Sequence, residues 1–109
     1  MLLFKPEHVQ PILDGRKTET RRIWKKQRAK VGSVHLAKTK MLSKEYFAKI
    51  KILDVYQERL INITEEGARR EGYPSRAAYL DAFRRINKLG PIGLECRICP
   101  FVVKFEVIS

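Results

Sequence analysis

The hydrophobic and polar positions of this chain change period several times, and each change marks an element. "MLLF" at the start is an apolar run that predicts a short strand, broken by Lys5-Pro6. Val9, Ile12 and Leu13 then recur at helical spacing, with Glu7 in the first turn and Gly15 as a left-handed stop. Pro11 inside that run predicts a short or bent helix. "TETRRIW" alternates and is rich in β-formers, so a strand is expected with Thr18, Thr20 and Arg22 on one face and Glu19 and Arg21 on the other. A basic loop, "KKQRAKVGS", turns at Gly32 into a strand at "SVHLAKT". A longer strand follows at "YFAKIKILDVYQ", where Ile50 and Ile52 alternate with Lys49 and Lys51, giving one buried and one wet face.

The second half switches to period 3.6. "NITEEGARREG" predicts a short helix capped by Thr64, with Glu65 and Glu66 at the positive end of its dipole and Gly72 as its stop. "PSRAAYLDAFRRIN" predicts another, capped by Ser75, with Tyr79, Ala82, Phe83 and Ile86 on one side. The last strand, "FVVKFEVI", is expected to turn Val103, Phe105 and Val107 inward. No strand-helix-strand alternation builds a parallel sheet. The expectation is one domain over residues 1–109, an α+β fold whose small, mostly antiparallel sheet curls towards a barrel with short helices at one end. The helices flanking Gly72-Tyr73-Pro74 also allow a helix-turn-helix presenting Arg76, Arg84 and Arg85 to DNA. The proline in the turn and Asp81 in mid-helix weigh against it.

Charge sharpens this picture. A chain of 109 residues with net charge +11 carries a positive field that concentrates polyanions around it. No apolar run approaches the roughly 20 residues of a membrane span and no signal-peptide pattern opens the chain. A soluble cytoplasmic protein without a membrane partner is therefore expected. Asn and Gln total only five, against abundant Lys, Arg, Glu and Ile, a balance resembling that of proteins from hot environments. Cys96 and Cys99 form "CRIC", but His8 and His35 do not complete a four-ligand set at metal-site spacing. No metal or other cofactor is expected, and the cysteines are read as structural, with a local disulfide as one option.

The cations cluster. Eight of the fifteen residues after Gly15 are Lys or Arg. Arg16, Arg21, Lys25, Lys26, Arg28 and Lys30 are candidate phosphate contacts, and Trp24 offers a stacking face among them. A phosphate-binding P-loop is excluded, because Arg16 stands where its lysine belongs and no earlier glycine exists. Lys17 and Thr20 straddle a turn-to-strand junction where an ammonium and a hydroxyl can meet. A lysine among so many cations has reason to lose its proton more easily, as proton abstraction from a hydroxyl requires.

"KPEHVQPILDGRKTETRR", followed by "VG" before a strand and by "ITEEGARREGYPS" before the last helix, resembles the ASCH domain family over nearly the whole chain. The resemblance implies a PUA-like barrel with flanking helices and a cleft that faces RNA, with ribonuclease activity in some members. One branch comprises small amidohydrolases that deacetylate acetylcytidine. Its lysine, threonine and glutamate fall on Lys17, Thr20 and Glu71, with Thr20 as nucleophile, Lys17 as base and Glu71 orienting them. Arg22 and Lys5 match further family positions and imply substrate contacts. The long basic loop and the cysteine-bearing loop depart from the small-enzyme pattern. The expectation is an RNA- or nucleoside-binding cleft of unknown activity, with the amidohydrolase and ribonuclease as alternatives. A purely structural role is also open, in which Lys17 and Glu71 pair to seal one end of the barrel while Thr20 satisfies a strand.

Overall fold

A computed structural model describes residues 1–89 and 97–108. Five strands form one mixed sheet: β1 (Leu2–Leu3), β2 (Glu19–Arg22), β3 (Val34–Lys38), β4 (Ala48–Gln57) and β5 (Phe101–Val107), in spatial order β1-β3-β4-β5-β2. All neighbours are antiparallel except β1 and β3, which run parallel with Leu2 opposite Ala37. β4 is the spine. Its first half pairs with both β3 and β5, and a register shift between Ile52 and Asp54 bends it against β5. Such a bulge increases local twist, and the sheet curls into a half-barrel.

The alternation read from the sequence sets what fills the curl. Ile50 and Ile52 are fully buried while Lys49, Lys51 and Leu53 face out. With Leu2, Phe4, Ala37, Val103 and Phe105 they make the barrel core, closed from one side by Ile12 of helix α1 (Val9–Leu13). α1 is a single short turn of helix led by a 3-10 turn at Pro6–His8, as Pro11 dictates, and Gly15 leaves it at φ 79°. In β5 the inward pattern holds for Val103 and Phe105, but Val102 is buried as well and Val107 is 40% exposed. Val102 lies opposite Tyr56, which follows the bulge in β4.

Helices α2 (Glu65–Arg70) and α3 (Arg76–Ile86) build a second small core from Leu60, Ile63, Ala68, Tyr79, Leu80 and Phe83. Both caps expected from the sequence are formed: Thr64 Oγ accepts from Gly67 N at 2.9 Å and Ser75 Oγ accepts from Ala78 N at 3.1 Å. Arg76, a candidate DNA contact in the helix-turn-helix alternative, donates to the carbonyls of Ile63 and Ile61, so it ties the start of α3 to the segment that precedes α2. The end of α2 is tied to the start of β2 by Thr18 N donating to Arg70 O at 2.7 Å. That bond delivers Glu71 beside Lys17. No described helix is long and apolar enough to cross a membrane. Cys96 lies outside the described residues, while Cys99 is exposed.

Candidate functional site

β1 and β2 are the two free edges of the half-barrel, and β2 carries most of the chemistry. Side chains alternate along a strand, so β2 serves two places at once. Thr20 and Arg22 look into a cleft at the seam between the edges, and Glu19 and Arg21 enter the interface with α2.

The interface holds a buried ion network. Lys17 Nζ donates to Glu71 Oε1 at 2.6 Å, to Glu71 O at 3.0 Å and to Glu19 O at 3.1 Å, so all three of its protons have acceptors. Arg21 Nη1 meets the other Glu71 oxygen at 3.0 Å and lies 3.4 Å from Glu19 Oε1, and its Nη2 is 3.4 Å from Glu58. Arg70 Nε reaches Glu19 Oε1 at 3.2 Å from the solvent side. Lys17, Glu19 and Glu71 are each no more than 2% exposed. Burial draws the Lys17 ammonium below the ordinary lysine range, with the Glu71 carboxylate opposing that effect and Arg22 and Arg21 adding to it. Burial also works against the charge of Arg21, but Glu71 and Glu19 outweigh it and hold the guanidinium more firmly protonated. Arg21, expected on the basic rim, is therefore a buried strut of this network. A guanidinium covered in this way needs carboxylate partners to stay charged, and Glu71, Glu19 and Glu58 supply them.

The cleft has a volume of about 440 Å³, within the range of small-molecule sites. Its walls include Thr20, Arg21 and Arg22 but neither Lys17 nor Glu71. Arg22 spans the seam: Nε donates to Thr20 Oγ at 3.1 Å and Nη2 to the carbonyl of Leu3 in β1 at 2.6 Å, while its guanidinium lies over the Phe4 ring, 4.8 Å from the centroid. Arg22 Nη1 has no partner among the described residues. Neither does the proton of Thr20, whose oxygen is the acceptor for Arg22. Lys5 is exposed at the rim. Opposite stand Tyr73, Tyr79, Phe83 and His8. Tyr73 OH and His8 Nε2 share a hydrogen bond of 2.8 Å. Burial, then the charges of Lys17, Arg22, Arg85 and Lys5, draw His8 down to about 4. Burial pushes the phenol of Tyr79 well above its ordinary value, with Glu71 adding to the shift, and leaves it a neutral hydroxyl. Among the described residues no acidic side chain lines the cleft.

The three residues of the proposed triad are thus divided. Lys17 and Glu71 pair with each other on the network side, and Thr20 turns to Arg22 on the cleft side. Of the basic loop, Arg16 is exposed and paired with Asp14 at 2.9 Å, and Lys25, Lys26, Arg28 and Lys30 are exposed without ion-pair partners among the described residues. Trp24 is half-buried against the barrel core, 5.7 Å from the Phe101 ring, so the fold itself uses the aromatic surface read as a stacking face. His8, Tyr73, Tyr79 and Glu19 were not singled out by sequence reasoning. Glu19 had a signal, since it is the lone acid in the basic run and shares a strand face with Arg21. The Tyr79 signal pointed to helix core, which is also true of its ring.

No family model matches the chain, and no curated protein matches it. Solved structures do. An ASCH domain from Lactobacillus crispatus superposes with TM-score 0.71 at 17% identity, covering 91% of this chain and 69% of that one. Protein EF3133 from Enterococcus faecalis gives 0.70 at 20% identity, covering 94% and 67%. The hypothetical protein PH0355 gives 0.69 at 15% identity, covering 96% and 94%. Identities this low speak to architecture, and the architecture agrees with the curled mixed sheet and its few short helices: this chain has an ASCH-type, PUA-like α+β fold.

Proposed function

We propose that the seam cleft binds an unpaired base of RNA or a modified nucleoside, held by Arg22, Thr20 and Lys5, without covalent chemistry. One observation carries the reading: free donors on Arg22 and Thr20 converge between aromatic walls, in a cleft with no acid among its described lining residues. Bases are planar and rich in carbonyl and ring-nitrogen acceptors, so they suit such a cleft. The phosphates on either side suit Lys5 and the exposed cations of the loop from Lys25 to Lys30.

The geometry favours binding over hydrolysis of an acetylated cytidine. A threonine nucleophile needs a base within hydrogen-bond reach. The neighbour that Thr20 has is a guanidinium, which does not accept protons, and the Lys17 ammonium is saturated by Glu71 and Glu19. Titration of a fluorescent single-stranded RNA tests the proposal. Log affinity should fall linearly with log salt, and Thr20→Val should weaken binding roughly tenfold, the cost of one lost hydrogen bond in a desolvated site. A flat salt dependence, or unchanged affinity in Thr20→Val, would reject it. Incubation with acetylcytidine is the second arm: release of cytidine by the wild type but not by Lys17→Ala would replace binding with the hydrolytic reading.

A further inference from the structure

The tip of the β3–β4 hairpin exposes what a fold ordinarily hides. Leu42 is 96% exposed and Met41 is 61% exposed. The tip is braced so that both residues stay outside. Lys38 Nζ donates to Ser43 O at 2.7 Å, Glu45 N donates to Ser43 Oγ at 3.0 Å, and Phe47 N closes the loop on Ala37 O at 3.0 Å. Lys40 and Lys44 flank the pair, both exposed. The loop also begins at the cleft, since Thr39 is one of the cleft's lining residues. Leu42 follows it by three residues, so its Cα is within about 11 Å of Thr39.

We infer that the Met41-Leu42 tip is a wedge that enters a paired RNA stem and fills the gap left when one base is drawn into the cleft. This rests on the cleft reading above. A base leaving a stack opens an apolar slot, and proteins that distort duplexes fill such slots with leucine or methionine. The flanking lysines complement the phosphates on either side of the slot. Placement beside the cleft distinguishes this occupant from a lipid surface, which would make no use of the cleft.

The probe is a short RNA stem with 2-aminopurine at one mismatch, compared with the single strand of the same sequence. Binding of wild type to the stem should raise 2-aminopurine fluorescence. Leu42→Ser should abolish the rise and weaken stem binding roughly tenfold, while single-strand affinity stays within about twofold. So exposed a side chain contributes little to folding, and an unchanged melting temperature checks this. Equal effects on stem and single strand, or none on either, overturn the wedge. So does Leu42→Ser-sensitive binding to phosphatidylserine vesicles with stem fluorescence unaffected. If Thr20→Val still weakens the single strand while Leu42→Ser leaves the stem unchanged, the wedge alone fails. If Thr20→Val has no effect, the cleft reading fails instead.

Discussion

Glu71→Ala is the sharpest perturbation of the buried network. It removes the carboxylate that accepts from Lys17 Nζ at 2.6 Å and from Arg21 Nη1 at 3.0 Å, where the three side chains are 3% exposed or less. Lys17 would keep the Glu71 and Glu19 backbone carbonyls, and Arg21 would keep longer contacts to Glu19 and Glu58. Lys17 would then have no carboxylate partner, and Arg21 would have one buried and one partly exposed, each at 3.4 Å. Breaking a buried pair from one side costs about 3–5 kcal/mol. A domain of this length has roughly 5–15 kcal/mol of total stability, so the variant loses a large share of it. At about 4 °C per kcal/mol, melting should fall by on the order of 15 °C. Urea unfolding followed by circular dichroism measures the loss directly. Lys17→Met leaves Glu71 paired with Arg21 and should cost less than Glu71→Ala. In Lys17→Met/Glu71→Ala neither member of the pair is left as an unpaired buried charge, so its loss should fall short of the summed losses of Lys17→Met and Glu71→Ala by about 1–3 kcal/mol. A loss below about 1 kcal/mol in Glu71→Ala would refute the argument, because the cations would then have been stable without their carboxylate.

Two further expectations concern the surroundings of the site. His8, drawn down to about 4, stays neutral in the fold where the unfolded chain protonates near 6.5. Its contribution is complete above pH 6.5 and is lost as pH falls from there towards 4; discounted for partial exposure it is about 1–2 kcal/mol. His8→Gln should flatten that stretch of a urea-midpoint profile, and an identical slope in the variant would contradict the assignment. Gly72 ends α2 at φ 94°, where an added Cβ would meet the Cβ atoms of Lys17 and Pro11 at 3.4 Å, an ordinary contact. Gly72→Ala should therefore cost only the left-handed backbone penalty, about 1–2 kcal/mol, matching Gly32→Ala at φ 87° in open space. A much larger loss at Gly72 would show that the network beneath it cannot give.

The strand periods and helix caps were legible residue by residue because each is a local rule. Ile50 and Ile52 against Lys49 and Lys51, Thr64 and Ser75 as caps, and Pro11 shortening α1 all follow from neighbours in the chain. Parity along β2 was legible as well, but parity does not say what covers each face. Glu19 and Arg21 are buried because α2 arrives over them, and nothing within four residues of β2 encodes that arrival. Lys17 and Glu71 are 54 positions apart, so only the motif resemblance linked them. The cleft joins His8, Thr20 and Tyr73 from three separate segments, and no local pattern in any one of them points to the other two. Charge clustering located the basic loop but could not separate its exposed lysines from Arg21 and Trp24, since charge and aromaticity carry no burial label.

The seam spanned by Arg22 has a further consequence. Along β4 and β5 the sheet is held by backbone ladders, whereas the gap between β1 and β2 is crossed by a side chain, Arg22 to Leu3 O. Backbone breathing should therefore start at the seam, and the amides of Leu3 and Arg22 should exchange with solvent well before those of Ile52 or Val103. A ligand lodged there acts as the missing rung between two unjoined edges, so occupancy would register as slowed exchange in strands that a static view calls finished.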